Sequence, residues 1–280
     1  MGLCWLFNKS KKGVNIIGAT INKSNAIGLQ SINNMGHKMT IVQYRSSRDI
    51  DVKFENGEIV KHRLLKDFKR GAIKMPNSPT VFGYGIYDEN TNGHYDGNDK
   101  CDSKPFVCWQ GMIERCYNSA LHDKYPTYKN CKCCDDWLYY SKFKKWYKEN
   151  YYEIPECKYR MELDKDILSR HLLGVDSKIY SPDTTCFVPR DINLLLCKRD
   201  RYRGNLPIGI TAINKGGYIA RLNIDGKRKY LGYFANVNEA FNAYKVAKEN
   251  EIKRKANLYK AYLPSRLYEA LIQYEVKITD

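Results

Sequence analysis

The sequence predicts an α+β chain of several domains: a small N-terminal β module, a mainly helical centre, and a C-terminal three-stranded sheet backed by one helix. Three observations lead there. Alternating apolar residues flank Asn56-Gly57 and Asp225-Gly226, which marks a β-hairpin near each end of the chain. Between them, apolar and aromatic residues recur at helical spacing. A chain of 280 residues also suits two or three small cores better than one large core.

The N-terminal module is assigned to residues 1–85. "MTIVQY" reads as one strand. In "DIDVKFENGEIVKHRL" Ile50, Val52 and Phe54 alternate, Asn56-Gly57 is expected to form a type I′ turn, and a second strand follows. "FKRGAIKMP" closes a unit short enough to be a barrel-like or curled sheet. Residues 86–104 are rich in Asn, Asp and Gly and read as a linker.

The helical centre is assigned to residues 105–200. "PFVCWQGMIERCYNSA" places Val107, Met112, Ile113 and Cys116 near one helical face after a Pro start. "CKCCDDW" reads as a short strand or turn. "WLYYSKFKKWYKENYY" is an amphipathic helix whose Phe143, Trp146 and Tyr147 suit a core better than a base-stacking platform. "MELDKDIL" follows. "IYSPDTTCFVPRDINLLL" predicts strand and turn up to Pro189, then a short helix.

Residues 205–262 form the C-terminal unit, and residues 263–280 a tail helix. In "GYIARLNIDGKRKYLGYF" Tyr218, Ala220 and Leu222 share one strand face, while Arg221 and Asn223 take the other. Lys227, Arg228 and Lys229 follow the turn. In the helix "NVNEAFNAYKVAKENEIKR", Ala240, Ala243, Tyr244 and Ala247 are available to lie against the sheet.

The net charge is +16, spread among 23 tyrosines. Folded surfaces with cations and aromatics side by side call for a polyanion, and nucleic acid fits better than membrane. No apolar run approaches a membrane span. Leu3–Phe7 is too short for a signal-peptide core, and Gly2 lacks the Ser or Thr that myristoylation needs. A cytoplasmic monomer with its ten cysteines reduced is expected. Cys131-x-x-Cys134 has no second pair of that spacing, so buried thiols are expected rather than structural zinc.

The segment Gly209–Glu249 resembles the AP2-type DNA-binding domain. The resemblance rests on Tyr218 opening the second strand, Tyr230-Leu231-Gly232-Tyr233-Phe234 closing the third, and the Ala-rich helix from Ala240 to Ala247. It implies a sheet laid in the DNA major groove. The groove-facing positions would be Thr211, Ile213, Lys215, Arg221, Asn223, Arg228 and Tyr230. The family often carries arginines near Thr211 and Ile213, and their absence here argues against a G-rich target.

The centre resembles phage-encoded HNH endonuclease-like proteins. The matching pieces are Trp109, Arg115-Cys116-Tyr117, Tyr128, Asp135-Asp136-Trp137, Leu163-Asp164-Lys165-Asp166, Tyr180-Ser181-Pro182 and Phe187-Val188-Pro189 with Asn193. The N-terminal β module also looks like one placed upstream in such proteins. This implies a homing-type enzyme that cuts double-stranded DNA with one divalent metal, Mg²⁺ or a similar ion, and a His base. The His is missing where the motif would put it. Asp164 and Asp166 would hold the metal with Asn193, and His171, expected in an extended loop, or a metal-bound hydroxide would be the base. The alternative is a DNA-binding regulator or a nuclease that has lost its base. RNA is a weaker candidate ligand, because single-strand readers usually expose stacked aromatics. Asp164 and Asp166 face the same way only if the backbone stays extended through Lys165.

Overall fold

The computed structural model describes residues 21, 24–89, 103–155, 157–174, 176–197, 204–214 and 216–280. These form a mixed α+β structure with eight helices and four small sheets. Two compact units divide the chain, one drawn from residues 1–106 and 138–141, the other from 107–137 and 142–280. No helix among the described residues is long and apolar enough to cross a membrane.

The first unit is an antiparallel meander of β1 (Gln30–Ile32), β2 (Lys38–Ser46), β3 (Asp49–Phe54) and β4 (Ile59–Arg63), closed by α1 (Leu65–Lys69). Alternation puts Met39, Ile41, Ile50, Val52, Phe54 and Val60 on one side, where they bury Phe68 and Ile73. Three register shifts along β2, β3 and β4 interrupt the ladder, and shifts of this kind bend a sheet. The Asn56-Gly57 turn is not type I′. Gly57 has φ +90° but Asn56 keeps a negative φ. Phe54 accepts from the Gly57 N–H at 3.0 Å and donates to Glu58 at 2.8 Å. This is a three-residue loop ending in a left-handed glycine, the other hairpin solution open to the same dipeptide. Residues 86–89 begin the predicted linker. Ile86 bridges Tyr139 in parallel, and Asp88 accepts from the Ser141 N–H at 2.8 Å.

The second unit takes α2 (Ser103–Tyr117) from Val107 onward, then α3 (Ser119–Lys124), the latter capped by Asn118. Trp109, Met112, Ile113 and Cys116 form the buried stripe of α2, while Val107 faces solvent. β5 (Lys132–Cys133) pairs in parallel with β7 (Ile179–Tyr180), so the middle of "CKCC" is a short strand. A 3-10 turn leads to α4 (Tyr140–Asn150). Its Phe143, Trp146 and Tyr147 are core, as expected, packed with Trp137 and Phe187.

β6 (Met161–Asp164) pairs antiparallel with β8 (Cys186–Pro189). Between them lies α5 (Ile167–Leu173), and α6 (Arg190–Leu196) follows directly. The last sheet has the order β11-β10-β9, from β9 (Ile210–Ala212), β10 (Tyr218–Ile224) and β11 (Lys227–Phe234). The 22-residue helix α7 (Val237–Leu258), capped by Asn236, joins two cores. Ala240, Phe241 and Tyr244 cover Ala220 and Leu222 of the sheet. One further stretch of the helix, at Ile252 and Ala256, packs with α5, α6 and Leu267, Ala270 and Leu271 of α8 (Ser265–Ile272).

Candidate nucleic-acid interface

Asp225 and Gly226 have φ +50° and +80°, the two positive values a type I′ turn requires. The two-residue loop fixes the register: Ile224 opposes Lys227, Asn223 opposes Arg228, and Arg221 opposes Tyr230. Beyond Arg221 the register slips, and Ala220 faces Gly232 with Leu231 as the extra residue. Gly232 has φ +140°, and a Cβ there would come within 2.9 Å of the Phe234 ring, so the bulge needs glycine. The bulge turns Tyr233 outward, opposite Ile219, which opposes Thr211 on its other side.

The face away from α7 therefore carries Thr211, Ile219, Arg221, Asn223, Arg228, Tyr230 and Tyr233. Ile213 follows this alternation just past β9, and Lys215 lies outside the described residues. Tyr233 escapes a sequence reading because it cannot place the bulge, whereas Ile219 shares the face of Arg221 by simple alternation along β10. Tyr230 and Tyr233 are 58% and 55% exposed, and the Tyr233 hydroxyl donates to Gly216 at 3.1 Å. Lys227 and Lys229 belong to the opposite face, paired with Ile224 and Leu222. Lys229 lines a groove of about 740 Å³ between β11 and α7.

Residues 204–234 hold five cations and one carboxylate, Asp225. That carboxylate is neutralised from behind, where the Lys255 ammonium donates to it at 2.8 Å. Hydrogen bonding to Lys255 holds the Asp225 carboxyl below its usual range. The outer face is left with the guanidinium groups of Arg221 and Arg228, neither engaged by a carboxylate among the described residues.

Asp164, Asp166 and Asn193, the sequence-predicted metal ligands, are each engaged by other groups of the chain. The strand ends at Asp164, and Asp166 is helical in backbone conformation (φ −99°, ψ −31°), so extension is not kept through the motif. Asp164 Oδ1 turns back to accept from the N–H groups of Asp166 and Ile167, both at 2.8 Å, and so opens α5. Asp166 accepts from the buried Lys165 ammonium at 2.6 Å. Asn193 on α6 donates to Glu162 at 2.8 Å. His171 lies within α5, on its exposed side, rather than in an extended loop.

Burial, followed by the charge of Asp166, raises the Asp164 pKa to about 6, against the pull of the Ile167 and Asp166 N–H groups. A folded-state value above the ordinary 3.8 means the fold prefers the protonated acid. This group's contribution is complete below the unfolded value and is lost as pH rises through about 6. Asp164→Asn keeps the accepting oxygen and removes the charge. Between pH 4.5 and 7 it should gain about 1–3 kcal/mol on the wild type in denaturant titrations. A constant difference across that range would refute the assignment.

Among the described residues, one set of three potential metal-binding groups lies close together: Asp49, Asp51 and His62 in the first unit. Arg45 already spans both carboxylates, at 3.1 Å from Asp49 and 2.8–2.9 Å from Asp51, and His62 Nδ1 is 3.0 Å from Asp49. A cation is thus built into that cluster. Comparison with protein-family models, curated proteins and solved structures finds no match.

Proposed function

We propose that the chain is a double-stranded-DNA-binding protein that lays the outer face of β9–β11 in the major groove. The observation that carries this is the cross-strand arrangement of Arg221 with Tyr230 and of Asn223 with Arg228, in a sheet whose own carboxylate, Asp225, is held from behind by Lys255. A major groove admits a two-stranded ribbon. Arg suits the O6/N7 edge of guanine, and Asn the N6/N7 edge of adenine. The resemblance to the AP2-type domain points the same way. For the centre we favour a scaffold without nuclease activity, since Asp164 is occupied with the start of α5 and Asn193 with Glu162.

Fluorescence anisotropy over a salt series, with selected duplexes, tests the proposal. Affinity should fall steeply with salt because phosphate contacts release counterions. Duplex should also outcompete single-stranded DNA or RNA of equal length. Nearly salt-independent binding, or a preference for single strands drawn by Tyr230 and Tyr233, would overturn it. Plasmid incubation with Mg²⁺ or Mn²⁺ tests the centre: nicking lost in Asp164→Ala would restore the nuclease reading and its metal.

A further inference from the structure

The outer face of the sheet is not uniform along β10. Its rows run across the strands, and their chemistry changes from one end to the other. Thr211, Ile219 and Tyr233 make one row, Arg221 and Tyr230 the next, and Asn223 and Arg228 the row beside the hairpin turn. The first row carries no charge. It offers the methyl groups of Ile219 and Thr211 beside an aromatic ring that is held in place. The Tyr233 hydroxyl donates to the Gly216 carbonyl at 3.1 Å, and a Cβ on Gly217 would fall 2.6 Å from Tyr233 Cζ, so the ring rests on bare backbone. Ile219 is half-buried, and alternation along β10 turns its free surface the same way as Arg221.

A β-branched residue suits a strand whatever it meets. The place of Ile219 in this face is what gives it a part. A row without charge has little to offer a phosphate. Where Arg221 and Asn223 meet base edges, the same strand carries Ile219 to the same depth, and the apolar group on a major-groove edge is the C5-methyl of thymine. The Thr211 hydroxyl beside it can donate to thymine O4. We propose that Ile219, with Thr211, reads a thymine, so that the sheet has an apolar reading end and a polar one. The inference rests on the duplex-binding reading and adds a spacing to it. Alternate residues of a strand lie about 6.6 Å apart, close to two base-pair steps of about 3.4 Å. The thymine therefore falls about two base pairs from the guanine read by Arg221, on the side away from the base read by Asn223.

The test replaces the thymines of the selected duplex one at a time by uracil, which keeps the pairing and removes only the methyl group. Affinity is measured by anisotropy for the wild type, Ile219→Ala and Arg221→Ala, with folding followed by circular dichroism. For the wild type, uracil should weaken binding about fourfold at the position two base pairs from the guanine and change little elsewhere. In Ile219→Ala that position should become indifferent to the methyl group while the guanine is still required. In Arg221→Ala the uracil effect should persist. Where Ile219→Ala does not fold, Ile219→Val is measured instead; it keeps the β-branch, loses one methylene, and should show a smaller uracil effect. A wild type with base preference that binds every uracil duplex as tightly as the thymine one would overturn the methyl reading and leave the sheet reading intact. So would a full uracil effect that survives the loss of the Ile219 side chain. Absence of base-selective duplex binding by the wild type is instead the failure of the DNA reading itself, and the thymine contact falls with it.

Discussion

Lys255→Met should destabilise the second unit by about 3–5 kcal/mol, read as a shift in its denaturant midpoint. The Lys255 side chain is 4% exposed and that of Asp191 is 3% exposed, with 2.7 Å between ammonium and carboxylate. Burial alone would lower the lysine's pKa, but hydrogen bonds to Asp191 and Asp225 more than offset this and raise it. Removing the ammonium leaves Asp191 with the Tyr259 hydroxyl at 3.0 Å and no cation. The loss is therefore mainly the cost of an unpaired buried charge. Two comparisons separate this from lost packing. Asp225→Asn removes the other carboxylate, which is 42% exposed, and should cost far less, within about 1 kcal/mol. Asn also tolerates the positive φ of that turn position. Lys255→Met combined with Asp191→Asn should recover much of the loss, because no buried charge remains. If Lys255→Met and Asp225→Asn prove equally mild, the Asp191 pair is not a structural centre.

Lys255 also shows where sequence reading stops. The partners of one lysine lie 64 and 30 residues away, on α6 and at the hairpin tip. Nothing local marks them. The elements legible in advance were those set by local chemistry. Asp225-Gly226 gave its hairpin because both residues accept positive φ, and the aromatics of α4 gave a core stripe at helical spacing. Asn56-Gly57 shows the limit of a dipeptide rule. One extra loop residue lets Asn56 keep a negative φ, and the turn type changes while the hairpin survives. Alternation identified Arg221 and Asn223 as one face, and the AP2-type resemblance added Arg228 and Tyr230, which the register sets opposite them. Alternation could not find Tyr233, since strict alternation from Tyr230 would send Tyr233 toward α7, and the bulge at Leu231 reverses that. The local role of Asp164 was hidden for a similar reason. A carboxylate three residues before the first residue of a helix can serve its first N–H groups, and that role depends on where α5 begins.

The register at the hairpin gives the other large expected effect. Arg221→Ala and Arg228→Ala should each cost about 1–3 kcal/mol on the preferred duplex, roughly five- to over a hundredfold in affinity. On unrelated duplexes the loss should be much smaller, because a bidentate base contact is sequence-specific whereas a phosphate contact is not. Lys227→Ala and Lys229→Ala supply the control. They flank Arg228 in the chain and carry the same charge, but they pair with Ile224 and Leu222 on the α7 side. Their removal should lower affinity modestly and equally on every duplex. Composition cannot make this distinction, for it scores four cations alike. If all four substitutions weaken binding equally whatever the sequence, the sheet acts as a basic patch and does not read bases. If Lys229→Ala relaxes base preference while Arg228→Ala does not, the face turned to DNA is the one that borders the groove beside α7. The double variant Arg221→Ala, Arg228→Ala should abolish preference while its melting temperature stays close to the wild type, since neither guanidinium has an ion-pair partner to lose among the described residues. A large drop in melting temperature would mean that the two arginines hold the hairpin together rather than meeting a ligand.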